Sequence, residues 1–269
     1  MTISSNIAND FNDKLAVKVI TGLNNFNIKE IKQMTQAAEI AKATYMDIAA
    51  DISIIEELQS ISTIPLCVSA VSVHKLFQCQ QAGVQILEIG NYDVFYEQGR
   101  LFSSQEIMQI SKNIRDLLPN TTLCVTIPHI LYIEDQIKLT QDLKNIGVDI
   151  IQTEGKSTSF SKQGDLSGII QKSASTCSST YAISKNIDMP IISASGISAL
   201  TSPISLLYGA SCIGIGTNIK QLNNIASMAM YIYEVKTAIK CNKSIKQDIT
   251  HSIKTSSITS HLVSYELRV

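Results

Sequence analysis

Four residues carry the plainest chemistry this chain offers. In "LAVKVI" (15–20), "YMDIAA" (45–50) and "QILEIG" (85–90) one charged residue, Lys18, Asp47 or Glu88, interrupts an apolar run, and Glu154 directly follows "VDIIQT" (148–153). If these runs are strands, successive side chains alternate faces, and the face under a helix layer rejects an unpaired charge because desolvation is costly. That parity turns Lys18, Asp47, Glu88, Gln152 and Glu154 to a common interior and Val17, Val19, Met46, Ile48, Leu87, Ile89 and Ile151 to the helices. Extended to polar residues in general, it also faces Ser69, Thr126, Ser193 and Ser195 inward. A lysine so placed can serve as a Schiff-base nucleophile or an electrostatic clamp, and a carboxylate beside it can exchange protons with substrate. The competing reading is a buried polar network in which Lys18, Asp47 and Glu88 satisfy one another.

A second constellation has no charge at all. Residues 189–219, "MPIISASGISALTSPISLLYGASCIGIGTNI", contain no Asp, Glu, Lys, Arg or His, in a chain that is 17% charged. The segment includes four of the 12 glycines. Read as strand, loop, short helix, strand, it places two glycine turns where main-chain N–H groups can hold an anion without a charged side chain. The expected phosphate-binding residues are Ser195, Gly196, Ile197, Gly216 and Thr217, with Ser198 as a helix N-cap and Gly214 and Gly216 leaving room for the ligand. The bland alternative is that these glycines only relieve crowding between strand and helix.

The elements that must position these groups follow from periodicity. Eight strand-length runs, at 15–20, 45–50, 65–70, 85–90, 122–127, 148–153, 190–195 and 211–216, alternate with helical patterns. The segment 28–43 puts Ile31, Met34, Ala38 and Ala41 on one stripe, and Gly147 is placed to stop the helix over 134–146. Strand–helix alternation implies a parallel sheet, and eight repeats predict a single (β/α)8 TIM barrel, whose active site forms at the carboxyl ends of the strands. A doubly wound open sheet is the alternative arrangement of the same units. The expected organisation is an N-terminal arm (1–13), the barrel (14–240) and a C-terminal helical or tail extension (241–269).

Composition narrows the partners. A formal charge of −1 gives no concentrated basic surface for nucleic acid. The uncharged stretch carries Pro190 and Pro203 and frequent serines, so no membrane span is expected. Six widely spaced cysteines, without a C-x-x-C pair or histidines at ligand spacing, read as reduced thiols, mostly buried, and as no metal site. Walker, dinucleotide and H-E-x-x-H motifs are lacking, so no nucleotide cofactor and no zinc are expected. His129, after Pro128, lies on the active face of a barrel but reads more simply as a surface or capping histidine. The polar loop 151–165 reads as a lid or a plain solvated loop, with Lys156 within reach of a phosphate. The N-terminus shows no secretion or import signal, and 19 lysines against three arginines fit an AT-rich genome. The sequence leaves a homo-oligomer open.

Taken together, "VKVITGLNNFN", "YMDIAAD", "EIGNYDVFYEQG", "IQTEG" and "SASGIS…PISLLYGASCIGIGTNI" resemble the hypothetical chloroplast reading frame twenty-three family of algal plastids and cyanobacteria. The resemblance runs from about Lys14 to the last helix. It implies a plastid-encoded protein of the stroma and carries no catalytic residue with it. The final third is more distantly similar to phosphate-binding barrels, which implies a phosphate site at Gly196, Ile197, Gly216 and Thr217 but no reaction. The expectation is an enzyme (isomerase, lyase or synthase) acting on a small phosphorylated metabolite. The alternative is a barrel that binds such a ligand without turnover and reports it to a protein partner, through residues 229–269.

Overall fold

The computed structural model describes residues 4–155 and 166–255, with side chains described as far as Cys241. The chain begins with helix α1 (Ser5–Asn12) and then alternates strand and helix: β1 (Ala16–Ile20), α2 (Ile28–Ile40), β2 (Tyr45–Ala49), α3 (Ile52–Ile61), β3 (Leu66–Ser69) and α4 (Val73–Gln81). It continues through β4 (Ile86–Ile89), a short α5 (Asp93–Glu97), α6 (Ser104–Leu117), β5 (Thr122–Ile127), α7 (Ile133–Asn145) and β6 (Ile150–Thr153). The last part is α8 (Leu166–Asn186), β7 (Ile191–Ser193), α9 (Ser202–Leu207), β8 (Cys212–Ile215), α10 (Thr217–Lys220) and α11 (Ile225–Thr255). The eight strands pair in sequence order, all parallel, and β8 closes on β1. This is the (β/α)8 barrel; the open doubly wound sheet is ruled out by the β1–β8 ladder.

Local chemistry sets the element ends. Asn27, Asp51 and Ser72 cap α2, α3 and α4 through side-chain oxygens, and Ser103 with Glu106 forms a capping box on α6. Helix α7 stops where Gly147 turns left-handed at φ 86°, its N–H donating to the Lys144 carbonyl. The predicted stripe on α2 is the buried one: Ile31, Met34, Ala38 and Ala41 pack with Val17, Val19 and Met46 or against neighbouring helices.

The barrel interior is layered. Its lower layer is apolar, with Ala16, Tyr45, Cys67, Ile86, Cys124, Ile150, Ile192 and Cys212 in one cluster. Below it, Ile7 and Phe11 of α1 close the amino-terminal end, and the Phe11 ring lies 6.3 Å from that of Tyr45. The Thr44 hydroxyl ties this helix down, donating to Asp10 Oδ2 at 2.8 Å while accepting from the Val17 N–H at 3.0 Å. All six cysteines are free thiols and five are buried. No helix among the described residues is long and apolar enough to cross a membrane.

Parity assigns the faces of most strands as expected but fails on β7. Ser193 is registered opposite Thr153, not Gln152, and its hydroxyl lies 3.1 Å from that of Thr180 on α8. It therefore faces the helices, and Ile192 and Ala194 face the interior. A charge cannot be buried under a helix unaided. A hydroxyl can, because Thr153, Thr180 and Ser193 form a chain of hydrogen bonds that satisfies all three.

Candidate active site

Above the apolar layer, Lys18, Asp47 and Glu88 meet on the barrel axis, and none is more than 1% exposed. The Lys18 ammonium pairs with Glu88 Oε2, lies 3.4 Å from Asp47 Oδ2 and donates to Gln152 Oε1 at 2.8 Å. Glu88 Oε1 accepts from Gln152 Nε2 at 2.8 Å and from Thr126 Oγ1 at 3.1 Å. Ser69 donates to one Asp47 oxygen, and Asn91 donates to the other at 3.0 Å. Burial alone pulls the lysine toward neutrality, but the Asp47 and Glu88 carboxylates outweigh it and hold the ammonium well above its ordinary pKa. Burial raises Glu88 against the opposing pull of Lys18. The cluster is therefore closed on itself, and a lysine held as ammonium is a poor Schiff-base nucleophile.

The accessible site lies above this network. A cavity of about 470 Å³ opens at the carboxyl ends of the strands. Neither Lys18, Asp47 nor Glu88 lines it; their partners Asn91 and Gln152 do, and so does Glu154. The loops after β7 and β8 also line it, through Ser195, Gly196, Ile197, Gly216 and Thr217. Lys172 of α8 and Lys220 of α10 also reach it, and neither is in an ion pair among the described residues.

The β7 loop is held in an unusual conformation. Ser195 takes a left-handed φ of 78° and Gly196 follows at 71°. For serine this costs on the order of 1–3 kcal/mol. Two bonds fix it: Ser195 Oγ donates to the Gly155 carbonyl and Thr176 Oγ1 donates to the Ser195 carbonyl, each at 2.8 Å. The N–H groups of Gly196 and Ile197 make no hydrogen bond among the described residues. Thr217 and Asn218 open the four-residue α10, so their N–H groups have no intrahelical partner.

One local expectation is corrected. Ser198 stands one turn ahead of α9 rather than at its cap: its Oγ accepts from the Thr201 N–H at 3.4 Å and its N–H donates to Thr201 Oγ1 at 3.0 Å, and the helix begins at Ser202 with Thr201 in the cap position. The glycines are also needed by the protein itself. A Cβ on Gly196 would stand 2.1 Å from the Lys172 carbonyl oxygen, and one on Gly216 2.6 Å from that of Ile20. One on Gly214 would stand 2.7 Å from Ala194 Cβ. Close packing of the chain therefore demands glycine there, whatever the cavity holds.

The remaining wall joins Glu154, which the sequence singles out, to His129, which it ranks low. Glu154, 5% exposed, accepts at Oε1 from the Tyr96 hydroxyl at 2.8 Å and from the His129 main-chain N–H at 3.1 Å. His129 Nδ1 also lies 3.1 Å from that oxygen, and the Tyr96 and His129 rings meet edge to face. Asp93, on the same wall, is pushed up to about 6, first by burial and then by the Glu154 carboxylate. Burial and Glu154 also keep the Tyr96 phenol protonated far above its ordinary pKa. Asn91, Asp93 and Tyr96 all belong to "EIGNYDVFYEQG", so the usable signal was polar residues just past the end of a strand. Lys156 and the rest of 156–165 lie outside the described residues.

Comparison with known proteins agrees with this architecture. Solved structures with the same fold include a geranylgeranylglyceryl phosphate synthase from Thermoplasma acidophilum in complex with sn-glycerol-1-phosphate (TM-score 0.60, 11% identity, covering 88% of this chain and 99% of that one). Another is 3-hexulose-6-phosphate synthase from Salmonella typhimurium (TM-score 0.57, 11% identity, covering 84% and 99%). At these identities the likeness shows the fold alone. Among curated sequences, "Uncharacterized protein ycf23" of Pyropia yezoensis is 78% identical over 269 residues, covering 100% of this chain and 98% of the relative. That of Cyanophora paradoxa is 36% identical over 238 residues, covering 88% and 98%. The model of the family described as "Protein of unknown function (DUF561)" matches residues 3–245. The chain belongs to that family, together with the ycf23 proteins of algae.

Proposed function

We propose that this barrel is an enzyme acting on a small phosphorylated metabolite, as an isomerase, lyase or synthase, in the plastid stroma. One observation carries the reading: the 470 Å³ cavity sets uncommitted main-chain N–H groups and two lysines on one wall and a buried carboxylate, Glu154, on another. The N–H groups of Gly196, Ile197, Gly216 and Thr217, with the Ser195 turn, receive the phosphate, and Lys172 and Lys220 supply countercharge. The carbon skeleton then extends toward Glu154, the group able to take a proton, with His129 and Tyr96 steadying it. Lys18, Asp47 and Glu88 act from beneath as positioning residues, through Asn91 and Gln152. A fold neighbour solved with the substrate sn-glycerol-1-phosphate, and another named as a hexulose-phosphate synthase, support the reading by analogy only.

Ligand binding to the folded state alone raises the melting temperature, so millimolar inorganic phosphate or a phosphosugar is expected to do so. Lys172→Ala with Lys220→Ala should cut that shift at least in half. An undiminished shift in this double variant would move the anion elsewhere. Gly216→Val is an unsuitable probe, because its side chain meets the Ile20 backbone before it meets any ligand.

The non-catalytic alternative has one observation in its favour. The lysine and two carboxylates with the most chemical potential are bonded to one another and do not reach the cavity. Turnover of whatever phosphorylated compound copurifies with the protein would exclude it.

A further inference from the structure

Among the described residues, carboxylates converge with another potential ligand in two places: Asp47 with Cys67 and Glu88 inside, and Asp93 with His129 and Glu154, of which Asp93 and Glu154 line the cavity. The inner one already contains its cation, because the Lys18 ammonium sits between its two carboxylates. At the outer one no lysine or arginine is paired with Asp93 or Glu154 among the described residues. Its three residues come from three separate places in the chain: the start of α5, the loop after β5 and the residue just past β6.

The bonding of Glu154 is one-sided. Oε1 receives Tyr96 and His129, whereas Oε2 receives no hydrogen bond among the described residues, although the residue is only 5% exposed and lines the cavity. A carboxylate at a cavity, with one oxygen clamped by donors and the other without a partner, has the hydrogen-bonded form of an oriented metal ligand. We propose that Asp93, His129 and Glu154 bind one divalent first-row cation of the manganese-to-zinc class, with its remaining coordination positions facing the cavity. Two carboxylates and one imidazole suit such an ion better than calcium, which prefers oxygen alone, or a thiolate-seeking one.

The geometry is close to what this needs. One ligand atom from each residue lies within 4.8 Å of the other two. Around an ion with bonds of about 2.0–2.2 Å, ligand atoms stand at most about 4.4 Å apart, a difference closed by a small side-chain rotation. The Tyr96 hydroxyl keeps its bond to Oε1 and so fixes the carboxylate plane. The inference does not rest on phosphate binding, and with the cation bound Glu154 serves as its ligand in place of taking a proton; the two readings fail separately. The lysine variants test the anion, and manganese alone tests the cation.

The experiment uses the full chain, stripped with a chelator and titrated with Mn²⁺ by calorimetry and by electron paramagnetic resonance. One ion per chain, with dissociation in the micromolar range, is expected. Asp93→Ala with His129→Ala should weaken it at least 100-fold, and Lys172→Ala with Lys220→Ala should leave it unchanged. If the Asp93–His129 variant does not fold, Mn²⁺ broadening of histidine ring resonances in the wild-type protein replaces it; one of the four histidines, His129, should broaden first. Absence of binding up to millimolar Mn²⁺, undiminished binding in the variant, or broadening that spares His129 would each overturn the proposal.

Discussion

The inner cluster of Lys18, Asp47 and Glu88 and the outer cluster of Asp93, His129 and Glu154 use similar residues, yet the fold treats them oppositely. The inner one is at most 1% exposed, and Gln152, Thr126, Ser69 and Asn91 complete its hydrogen bonds. The outer one leaves a carboxylate oxygen without a partner among the described residues and stands at a cavity. Burial with complete pairing makes charge structural, whereas burial with incomplete pairing leaves it available to a ligand. The contrast runs against the impression the sequence makes, in which Lys18 is the most conspicuous chemical group.

The sharpest way to break this comparison is to remove the inner cation. Lys18→Met leaves Asp47 and Glu88 buried without it and is expected to cost about 3–5 kcal/mol, read as a shift of the urea midpoint. Glu88→Leu added to it should recover part of the loss. A cost below about 1 kcal/mol would show that the cluster does not hold the barrel together.

A second, smaller effect is alkaline. Lys18 is held above its ordinary value, so its contribution is complete below about pH 10.5 and is lost as pH rises through the folded pKa. Tyr45 and Cys67, raised by burial, act in the same direction, because their unfolded forms ionise first. The melting temperature should therefore fall steeply above about pH 10. Mass spectrometry after reductive methylation at pH 9 should find Lys18 unmodified while surface lysines react, and methylation of Lys18 in the folded protein would contradict its burial.

The smallest stability effect belongs to the outer cluster. Glu154→Gln keeps an oxygen that can accept from Tyr96 and from the His129 N–H, so its stability should stay within about 1 kcal/mol of wild type. Ligand response should change far more than that. A variant that unfolds while binding normally would make the two clusters alike.

Much of this was legible before any coordinates. All eight strands lie within the predicted runs, because a short apolar run set between helical patterns is a signal contained in a few residues. The meeting of Lys18, Asp47 and Glu88 also followed from parity, since the desolvation cost of a charge leaves one face to choose. Ser193 escaped the rule because a hydroxyl's burial cost is offset by one neighbouring hydroxyl, and Thr180 belongs to a helix that no local pattern aligns with β7. His129 escaped because the contact that sets it apart is with Glu154, 25 residues away.

What the sequence determined by itself is the set of elements and the face of each charged strand residue, both consequences of spacing and solvation within one segment. What only the tertiary structure decided is which polar groups are consumed. Lys18 is spent on Glu88 and Gln152, 70 and 134 residues distant. Glu154, at the strand end beside the cavity, keeps one oxygen without a hydrogen-bond partner among the described residues. Hydrogen bonds saturate donors and acceptors in space rather than along the chain, so availability for chemistry is a property of barrel register and closure.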